Sequence, residues 1–375
     1  MSDTIRVGLI GAGQIATHHM TRYKDMPQVK MVAVADLFPE KVKAAQDRFG
    51  IPNGYADFKE MLNRDDLDAV DVCVHNNKHA PLTIAALEAG KHVYCEKPMA
   101  GTYRDAENMY KAAKKHKRKL SVQMTTLFSP ESRGAKRLID DGQLGKLYYA
   151  RSFGYRRRGR PFVDGYGTAN FVDKSICAGG ALFDMGIYHI ANILFLVGNP
   201  KVLTVTGSTH QELDMYEDRR TFSNFSVEEM GLGWVRLEGG ISFDIEETWA
   251  VHHDGQEASK VLGSKGGIKL NPLTFFSSAA DMPMSSTFDL AGSDTRWHSC
   301  FPESVWYDSS QNHWIGALLG KVPLLPTHEY ALNTALISEG IFMSTRLGRE
   351  VSADEIRKTS KSTAIDPYTP EKVWK

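Results

Sequence analysis

Residues 5–16 read IRVGLIGAGQIA, and this stretch decides the fold of the first third of the chain. Ile5–Ile10 is short, apolar and rich in β-branched residues, which predicts a buried strand. A Gly-x-Gly-x-x-Ala motif follows at once, in the strand–turn–helix context that dinucleotide binding requires. Gly11 permits the tight turn, Gly13 lets backbone N–H groups approach a pyrophosphate, and Ala16 lets the helix pack near the strand. The N-terminus of that helix then attracts the phosphate charge.

A second predicted strand, Met31–Ala35, ends at Asp36, twenty positions after the motif's alanine. A carboxylate there accepts hydrogen bonds from an adenosine ribose and would repel a 2′-phosphate, to which Leu37 offers no partner. The pattern therefore predicts NAD and disfavours NADP; the alternative is a glycine-rich turn beside a solvated aspartate. Five residues of the turn are predicted to join Asp36 in the cofactor site: Gly11, Gly13, Gln14, Ile15 and Ala16.

Strands and helices continue to alternate as far as Met124. Three more short apolar strands are predicted, at Ala69–Val74, Val93–Cys95 and Leu120–Met124, and helices at Val42–Phe49, Pro81–Ala89 and Tyr103–His116. Short apolar strands separated by helices indicate a parallel sheet with right-handed crossovers. Residues 1–124 are thus expected to form an α/β Rossmann domain.

The stretch HVYCEKPMA, residues 92–100, places a Glu, a Lys and a Pro where the fourth strand stops. In an open parallel sheet, ligands bind at the carboxyl ends of the strands. Lys97 is therefore expected near the nicotinamide end of the cofactor. On spacing alone, a surface ion pair worth about 0–1 kcal/mol is an equally good interpretation.

The pattern changes after Met124. Ser129-Pro130 opens a helix that ends near Gly142, and long alternating strands follow. These are Lys146–Tyr155, Lys201–His210, Val227–Leu237, Ile241–Val251 and Val261–Leu270. We expect residues 125–375 to form an α+β domain with a largely antiparallel open sheet and a C-terminal helix that packs back on the first domain. The free face of this sheet favours a homodimer or homotetramer.

The chain resembles the glucose–fructose oxidoreductase/inositol dehydrogenase/rhizopine catabolism family of sugar and polyol oxidoreductases. GKHVYCEKPMA, residues 90–100, and the glycine motif are similar to that family, as are residues 76–93, 140–153, 178–190 and 326–351. The resemblance spans the chain except the last ~20 residues, a polar tail expected to be poorly ordered. Val74-His75 stands where the family usually has Thr-Pro, so a hydroxyl contact to the cofactor is absent or replaced.

The resemblance implies a catalytic set and further cofactor contacts. Lys97, Asp184 and Tyr188 are the implied catalytic residues, and Asn76, His79 and Glu96 the additional cofactor contacts. In GGALFDMGIYHI, residues 179–190, the apolar positions suggest one helix, so residues four apart share a face and His189 points elsewhere. Many relatives have His four residues after the Asp, and others have Tyr, as here. Acid/base duty is therefore assigned to Tyr188; the alternative is a buried Tyr hydrogen-bonded to Asp184 for packing.

Electrostatics decide whether such a tyrosine can work at neutral pH. A free tyrosine titrates near ~10, and lowering its pKa by two units requires about 2.7 kcal/mol. A lysine cation at about 4 Å supplies roughly 4 kcal/mol at an effective dielectric constant near 20. Lys97 can thus tune Tyr188 or polarise the substrate oxygen, while Asp184 orients the substrate and holds Lys97. Which of Lys97 and Tyr188 takes the proton stays open.

YRRRGRPFVDGYG, residues 155–167, is the most basic loop of the second half. A solvated face and a substrate contact are both compatible with it, and some sugar-oxidising relatives have a similar loop. Arg156, Arg158, Arg160 and His189 are the candidate substrate-binding residues. His75-x-x-x-His79 lacks a third ligand, so no metal site is predicted.

Composition narrows the class of protein. The 45 Lys plus Arg balance the 45 Asp plus Glu, which argues against a nucleic-acid partner. No apolar run is long enough to span a bilayer, and the first residues lack a signal-peptide pattern. Four scattered cysteines form no CxxC motif. A cytoplasmic protein with a small-molecule carbohydrate or polyol substrate is expected.

Three functions remain from this reasoning. The first is NAD-dependent oxidation or reduction of a secondary alcohol on a sugar, a glycoside (C3 being one such position) or a cyclic polyol, inositol included. The second is a glycoside hydrolase that retains NAD and works by transient oxidation and elimination. The third is a non-catalytic NAD(H) sensor, which has no need of Lys97, Asp184 and Tyr188 together.

Overall fold

The computed structural model describes residues 4–370, in which two sheets lie one after the other along the chain. The first sheet is parallel and has six strands in the order β3-β2-β1-β4-β5-β6. Its strands are β1 Ile5–Ile10, β2 Val29–Ala35, β3 Asn53–Tyr55, β4 Ala69–Val72, β5 His92–Cys95 and β6 Leu120–Val122. The helices between them are α1 Gln14–Lys24, α2 Pro39–Phe49, α3 Phe58–Leu62, α4 Asn76–Glu88 and α5 Tyr103–His116. This is the doubly wound order of a Rossmann domain, as predicted.

Strand β3 is the one element of the first sheet that the sequence pattern does not predict. Its residues, Asn-Gly-Tyr, carry no apolar signal, and the strand forms because Ala33–Ala35 of β2 supply a parallel partner. The Asn53 amide also donates to the Val32 carbonyl at 2.8 Å. Sheet pairing therefore overrides weak local preference here.

The carboxyl ends of the parallel strands bring chemically useful residues to one edge of the sheet. Each of five strands is followed directly by such a residue: Gly11, Asp36, Cys73, Glu96 and Gln123. This edge is where α/β sheets bind their ligands.

The second sheet has nine strands in the order β14-β13-β12-β11-β7-β10-β9-β8-β15. They are β7 Leu147–Tyr155, β8 Val202–His210, β9 Met230–Leu237, β10 Ser242–Thr248, β11 Lys260–Gly263, β12 Gly267–Lys269, β13 Thr274–Ala279, β14 Met282–Thr287 and β15 Val351–Ser352. Only β7 and β10 pair in parallel, so the prediction of a largely antiparallel sheet is confirmed.

Nine helices of the described second half complete the fold. They are α6 Pro130–Asp140, α7 Lys174–Cys177, α8 Ala181–Asp184, α9 Gly186–Leu196, α10 Glu217–Ser223, α11 Leu290–Cys300, α12 Ser310–Leu318, α13 Thr327–Leu347 and α14 Ala353–Thr359. One hydrophobic cluster continues from β4 and β5 through α9 and α13 to the second sheet. At this junction Glu339 of α13 accepts the Tyr103 backbone N–H at 2.8 Å, which caps the start of α5.

The expected single helix over residues 179–190 is two helices, so this prediction is wrong. α8 ends at Asp184 and α9 begins at Gly186, and the segments on either side meet at 49°. A Cβ at position 186 would stand 3.1 Å from the Glu247 Cγ atom, so glycine lets the bend approach the sheet closely. Asp184 and Tyr188 therefore do not share one helical face.

The prediction of a poorly ordered C-terminal tail is also wrong for residues 356–370. Ile356 is buried, and the Thr363 N–H donates to Asp105 at 2.9 Å. The Ile365 N–H donates to the Asn77 carbonyl at 3.0 Å. Backbone donors that find partners on the first domain fix the path of the tail, although its composition is polar. Residues 371–375 lie outside the described part of the chain.

No single helix between residues 4 and 370 is long and apolar enough to cross a bilayer. The bent pair Lys174–Asp184 and Gly186–Leu196 has sufficient length and apolar character only when its two segments are counted together.

The four cysteines are free thiols. Cys73, Cys95 and Cys177 are buried, and Cys300 is exposed.

Candidate active site

The turn after β1 has the shape of a phosphate cradle. Gly11 has φ +94°, and a Cβ there would overlap the Cys73 carbonyl oxygen, so only glycine fits. A Cβ on Gly13, by contrast, would meet nothing within 4 Å, which leaves open space in front of the turn. Helix α1 begins at Gln14, and its first N–H groups have no partner within the helix. Ile15 beside them is 40% exposed. The turn therefore fits the pyrophosphate of a dinucleotide.

Asp36 lies at the adjoining cavity. Its carboxylate accepts the N–H groups of Ala12 at 2.8 Å and Phe38 at 2.9 Å, which fixes its direction at the end of β2. The cavity is bounded by both polar and apolar residues of the first domain and by one residue of the C-terminal tail: Gly11, Asp36, Leu37, Phe38, Phe58, Val74, Lys78 and Pro367 are among them. An acid beside an apolar cavity suits an adenosine, with its ribose at the acid.

Lys97, Asp184 and Tyr188 come together where the two sheets meet. The Lys97 ammonium donates to the Asp184 Oδ1 atom at 2.9 Å and to its backbone carbonyl at 3.3 Å. It also lies 4.9 Å from the centre of the Tyr188 ring. The side chains of Lys97 and Asp184 keep 15% and 24% of their surface exposed, so the pair is open to a small molecule.

The second oxygen of Asp184 is held by the second domain. Trp249, at the end of β10, donates its indole N–H to Oδ2 at 3.0 Å. Arg156, at the end of β7, donates to the same oxygen at 3.5 Å. Asp184 thus links a lysine of the first domain to two donors of the second, and its carboxylate direction is set by both.

Burial and the ion pair determine the protonation states. Burial alone would lower the pKa of Lys97, but the charges of Asp184 and Glu96 raise it above the usual value. Burial would raise the pKa of Asp184, but Lys97 and Arg156 lower it below the usual value. The two groups are therefore ionised at neutral pH.

The Tyr188 phenol departs from the electrostatic expectation. Burial raises its pKa to about 12, and the nearby Lys97 cation lowers it by less than that. From the sequence, the Lys97 cation is expected to lower the pKa of Tyr188. Because Lys97 also pairs with Asp184, its charge does not outweigh the effect of burial. Tyr188 is therefore protonated and uncharged at neutral pH.

Gln123 is a site residue that sequence reasoning missed. The Tyr188 hydroxyl donates to its Oε1 atom at 3.3 Å, and the Thr126 hydroxyl donates to the Tyr188 carbonyl at 3.1 Å. Gln123 follows β6 directly, at the same sheet edge as Glu96, and this position is the signal that would have identified it.

Glu96 faces the protein interior, which corrects the expected cofactor contact. It is 4% exposed and accepts the Lys97 N–H at 2.8 Å. Its other oxygen lies 2.9 Å from the His19 Nε2 atom, and the His19 Nδ1 atom lies 2.8 Å from Asp71. Burial opposes a charge on His19, but Asp71 raises its pKa well above the usual value. An imidazolium between two carboxylates thus supports the strand end that carries Lys97.

His19, Asp71 and Cys73 also have the residue types of a metal site. The His19 and Asp71 atoms are 2.8 Å apart, a hydrogen-bond distance that leaves no place for an ion between them. These three residues therefore form a hydrogen-bonded cluster.

His79 supports the turn from inside and does not reach the cleft, which corrects a second expected cofactor contact. It is fully buried, and its ring nitrogens lie 2.6 Å from the Pro98 carbonyl and 2.9 Å from the Val74 carbonyl. Asn76 donates to the Cys177 carbonyl at 2.7 Å and so ties α4 to the second domain.

The arginines of the basic loop have different environments. Arg160 is fully buried and pairs with Asp164 and Glu229, both at 2.9 Å, so the expectation that it binds substrate is corrected. Its five donors are used up by carboxylates and backbone carbonyls. The Arg158 side chain is 57% exposed and donates to the Asp214 carbonyl at 3.2 Å. Of the three, the one that contacts Asp184 is Arg156.

Comparison with known proteins shows the family of the chain. Residues 5–124 match an oxidoreductase family with an NAD-binding Rossmann fold, and residues 132–269 match the GFO/IDH/MocA C-terminal domain. D-glucoside 3-dehydrogenase of Escherichia coli (strain K12) is 30% identical over 279 residues, which cover 72% of this chain and 78% of that protein. The chain belongs to the Gfo/Idh/MocA family. It is therefore an oxidoreductase with a dinucleotide-binding domain.

Two further relatives of this Gfo/Idh/MocA protein are informative. Levoglucosan dehydrogenase of Pseudarthrobacter phenanthrenivorans is 32% identical over 220 residues, 55% of each chain. A solved structure of a levoglucosan dehydrogenase in complex with NADH superposes with a TM-score of 0.77 at 22% identity. It covers 93% of this chain and 99% of that one, which shows that the fold is shared over nearly the whole chain.

The family's usual Thr-Pro is Val74-His75 in this chain, and the structure shows what the histidine contacts. Its ring packs edge-on against Phe171 with centroids 5.8 Å apart. The Asn170 amide lies 3.5 Å from its Nε2 atom. Valine thus replaces the hydroxyl at position 74, and the His75 ring, in place of the proline, contacts the second domain.

His189 lies next to the site with a buried carboxylate behind it. Its Nδ1 atom is 2.8 Å from Glu247, which also accepts the Ser152 hydroxyl at 2.5 Å. Burial would lower the pKa of His189, but Glu247 raises it above the usual value. The His189 side chain is 30% exposed. A histidine oriented by a carboxylate can present its second nitrogen to a ligand.

Proposed function

We propose that the protein oxidises a secondary alcohol of a sugar or glycoside with NAD as the hydride acceptor. The observation that carries this is the Lys97–Asp184 ion pair, joined across the two domains at 2.9 Å beside the sheet edge that holds the cradle. The family is an oxidoreductase family, and two relatives are named for glucosides and levoglucosan. Residues 1–124 are proposed as the dinucleotide-binding domain and residues 125–375 as the substrate-binding and oligomerisation domain.

The bound nicotinamide supplies the hydride acceptor, and the protein's own side chains bind and orient the alcohol. Lys97 donates a hydrogen bond to the reacting oxygen and stabilises negative charge that develops on it. Asp184 accepts a neighbouring hydroxyl and keeps Lys97 in place. Tyr188, neutral and held by Gln123, exchanges a proton with the reacting oxygen. At neutral pH it carries the proton that reduction requires, and it must first lose that proton, which is favoured at high pH, before it can act as a base in oxidation.

The preference for NAD over NADP rests on Asp36. Its carboxylate is fixed by two backbone N–H groups at the adenosine cavity and repels a 2′-phosphate. The kcat/KM with NAD is expected to exceed that with NADP by at least tenfold, and Asp36→Ser should narrow the ratio.

Polar side chains beside Asp184 support the proposed substrate class. Arg156 beside Asp184 supplies hydrogen-bond donors and His189 a ring nitrogen, which suit the hydroxyl groups of a sugar. Together with the name of the Escherichia coli relative, this leads us to propose a D-glucoside, with oxidation at C3.

A panel of compounds tests the function. NADH absorbance is followed with glucosides, levoglucosan, free monosaccharides and inositols as substrates. We expect NADH to accumulate with the glucosides. Aglycone release without NADH would instead identify a hydrolase that retains its cofactor, turnover of inositols alone an inositol dehydrogenase, and turnover of none of them would contradict the proposal.

We also propose that the outer face of the nine-stranded sheet joins copies of the chain. Trp234 and Phe276, 42% and 40% exposed, share that face with Tyr149 through the strand register. Light scattering is expected to give a dimer or tetramer, and Trp234→Glu to shift it toward monomer. A monomeric wild-type protein would contradict this.

A further inference from the structure

The cavity at the ends of β1 and β2 is completed by a residue from the far end of the chain. Gly11, Asp36, Leu37, Phe38 and Phe58 of the first domain line it, and so does Pro367. Pro367 belongs to residues 361–370, which follow helix α14 and contain no helix or strand. Almost three hundred residues of the chain lie between the two sides of this cavity.

Specific contacts hold the tail at this place. The Tyr368 hydroxyl donates to the Asp57 carboxylate at 2.7 Å. The Tyr368 ring packs on Phe58, with centroids 5.4 Å apart, and the Lys59 ammonium lies 5.3 Å from its centre. These three partners begin α3, and Phe58 lines the cavity itself. Tyr368 therefore anchors Pro367 beside the cavity from the α3 side.

A buried lysine anchors the tail from the other side. Lys78 of α4 is 5% exposed, lines the same cavity, and donates to the Thr369 carbonyl at 2.5 Å. One residue before it, the Asn77 carbonyl accepts the Ile365 N–H at 3.0 Å. Because both helices that flank the cavity bind the tail, residues 365–369 bridge its opening.

We propose that residues 365–369 are part of the cofactor site: a strap that encloses the adenosine half of the dinucleotide and slows its exchange. Pro367 adds to the apolar lining formed by Leu37, Phe38 and Phe58, which suits a purine base. This proposal depends on the proposed function in one respect, which is that the ligand is a dinucleotide. It requires no sugar, so its failure and the failure of the sugar panel are separate results.

The main experiment compares two shortened chains. A chain that ends at Ala364 loses the strap, and a control that ends at Pro370 loses only residues 371–375. NADH affinity and the NADH dissociation rate are measured by fluorescence, without substrate. We expect at least tenfold weaker affinity and faster dissociation for the first chain, and wild-type values for the control.

Two measurements keep the proposal testable if the first chain does not fold. In the full chain, hydrogen exchange at residues 365–369 should slow with NAD but not with nicotinamide mononucleotide, which lacks adenosine. Tyr368→Phe, which removes only the hydroxyl bonded to Asp57, should speed NADH dissociation about threefold. Unchanged dissociation in this variant, together with NAD-independent exchange of the strap, would overturn the proposal and leave the tail a stabilising contact only.

Discussion

Lys97 and Arg160 are both cations that the sequence places at the site, but their ion clusters differ in the structure. In the first, Lys97 pairs with Asp184 and both side chains keep some exposure, 15% and 24%. In the second, Arg160 pairs with Asp164 and Glu229, and the three side chains are 0%, 5% and 1% exposed. The second cluster lies within one domain and uses all its donors internally. The first joins two domains and keeps open surface.

The difference indicates which charges are available for chemistry. A buried charge that is fully hydrogen-bonded holds a loop in place, and its removal leaves unpaired charges in the interior. A pair at a domain junction can exchange one of its contacts for a ligand. Arg156 and Arg160 are four residues apart in one loop, but Arg156 is accessible to a ligand and Arg160 is buried and fully paired.

The largest expected effect is on activity at Lys97. Lys97→Met should lower kcat/KM by at least about 10³-fold, roughly 4 kcal/mol, because the ammonium that contacts the reacting oxygen is lost. NADH binding should stay within about threefold of wild type, since the cradle is untouched. Retained turnover in this variant would refute the catalytic assignment.

Arg160 is expected to show the opposite pattern. Arg160→Met should lower the free energy of unfolding by about 3–5 kcal/mol, because Asp164 and Glu229 are left buried without their cation. Arg156→Met is the matched control: it should change stability by less than about 1 kcal/mol and lower kcat/KM about tenfold. Urea unfolding and steady-state rates measure both. Equal stability of the two variants would remove the distinction between the clusters.

Glu228 links stability to pH at the helix that carries Asp184. It accepts the N–H groups of Gly180 at 2.9 Å and Leu182 at 3.0 Å, and burial raises its pKa to about 7. The raised pKa means that the folded state binds the proton more tightly, so this stabilisation is present at low pH and is lost as the pH rises toward 7. In Glu228→Gln this dependence is absent, so the free energy of unfolding of wild type, relative to that of the variant, should fall by about 2 kcal/mol between pH 4.5 and 7.5. A constant difference would show that Glu228 titrates normally.

The rate of oxidation should increase with pH if Tyr188 accepts the proton. With its pKa raised to about 12, the deprotonated fraction grows up to tenfold per pH unit below that value. We expect kcat/KM to rise through pH 10 without a plateau, and Tyr188→Phe to flatten the profile. A plateau near pH 7 in wild type would indicate another base, with His189 the first candidate.

The smallest expected effect is at Trp249. Trp249→Phe removes the indole N–H that donates to Asp184 at 3.0 Å and keeps most of the packing. We expect a loss of about 3–10-fold in kcat/KM, since a hydrogen bond is worth about 1 kcal/mol. Loss as large as that of Lys97→Met would mean that Asp184 depends on this one donor for its position.

Local patterns predicted the elements well where each strand or helix has its own signal. The glycine turn, Asp36 at the end of β2 and helix α5, Tyr103–His116, lie where the sequence predicts them. Strand β3 and the bend at Met185 were missed, because a neighbouring strand and close packing on β10 produce them. The single helix over residues 179–190 was wrong for the same reason.

The candidate site was predicted unevenly. Lys97, Asp184 and Tyr188 were named from sequence and do meet, although the tyrosine pKa moves the other way because burial outweighs the lysine charge. His79, Glu96 and Arg160 were expected at the ligand and lie inside. Whether a charged side chain faces a cleft or a core depends on partners distant in sequence, and no local pattern contains them.

The sequence was sufficient to predict the dinucleotide turn, the family and most strands and helices of the first domain, because motifs, backbone geometry and periodicity are local properties. Folding was needed to establish which charges are accessible, which way the tyrosine pKa shifts and where the C-terminal tail lies. Those properties depend on burial and on contacts between residues hundreds of positions apart, and burial exists only once the chain has folded.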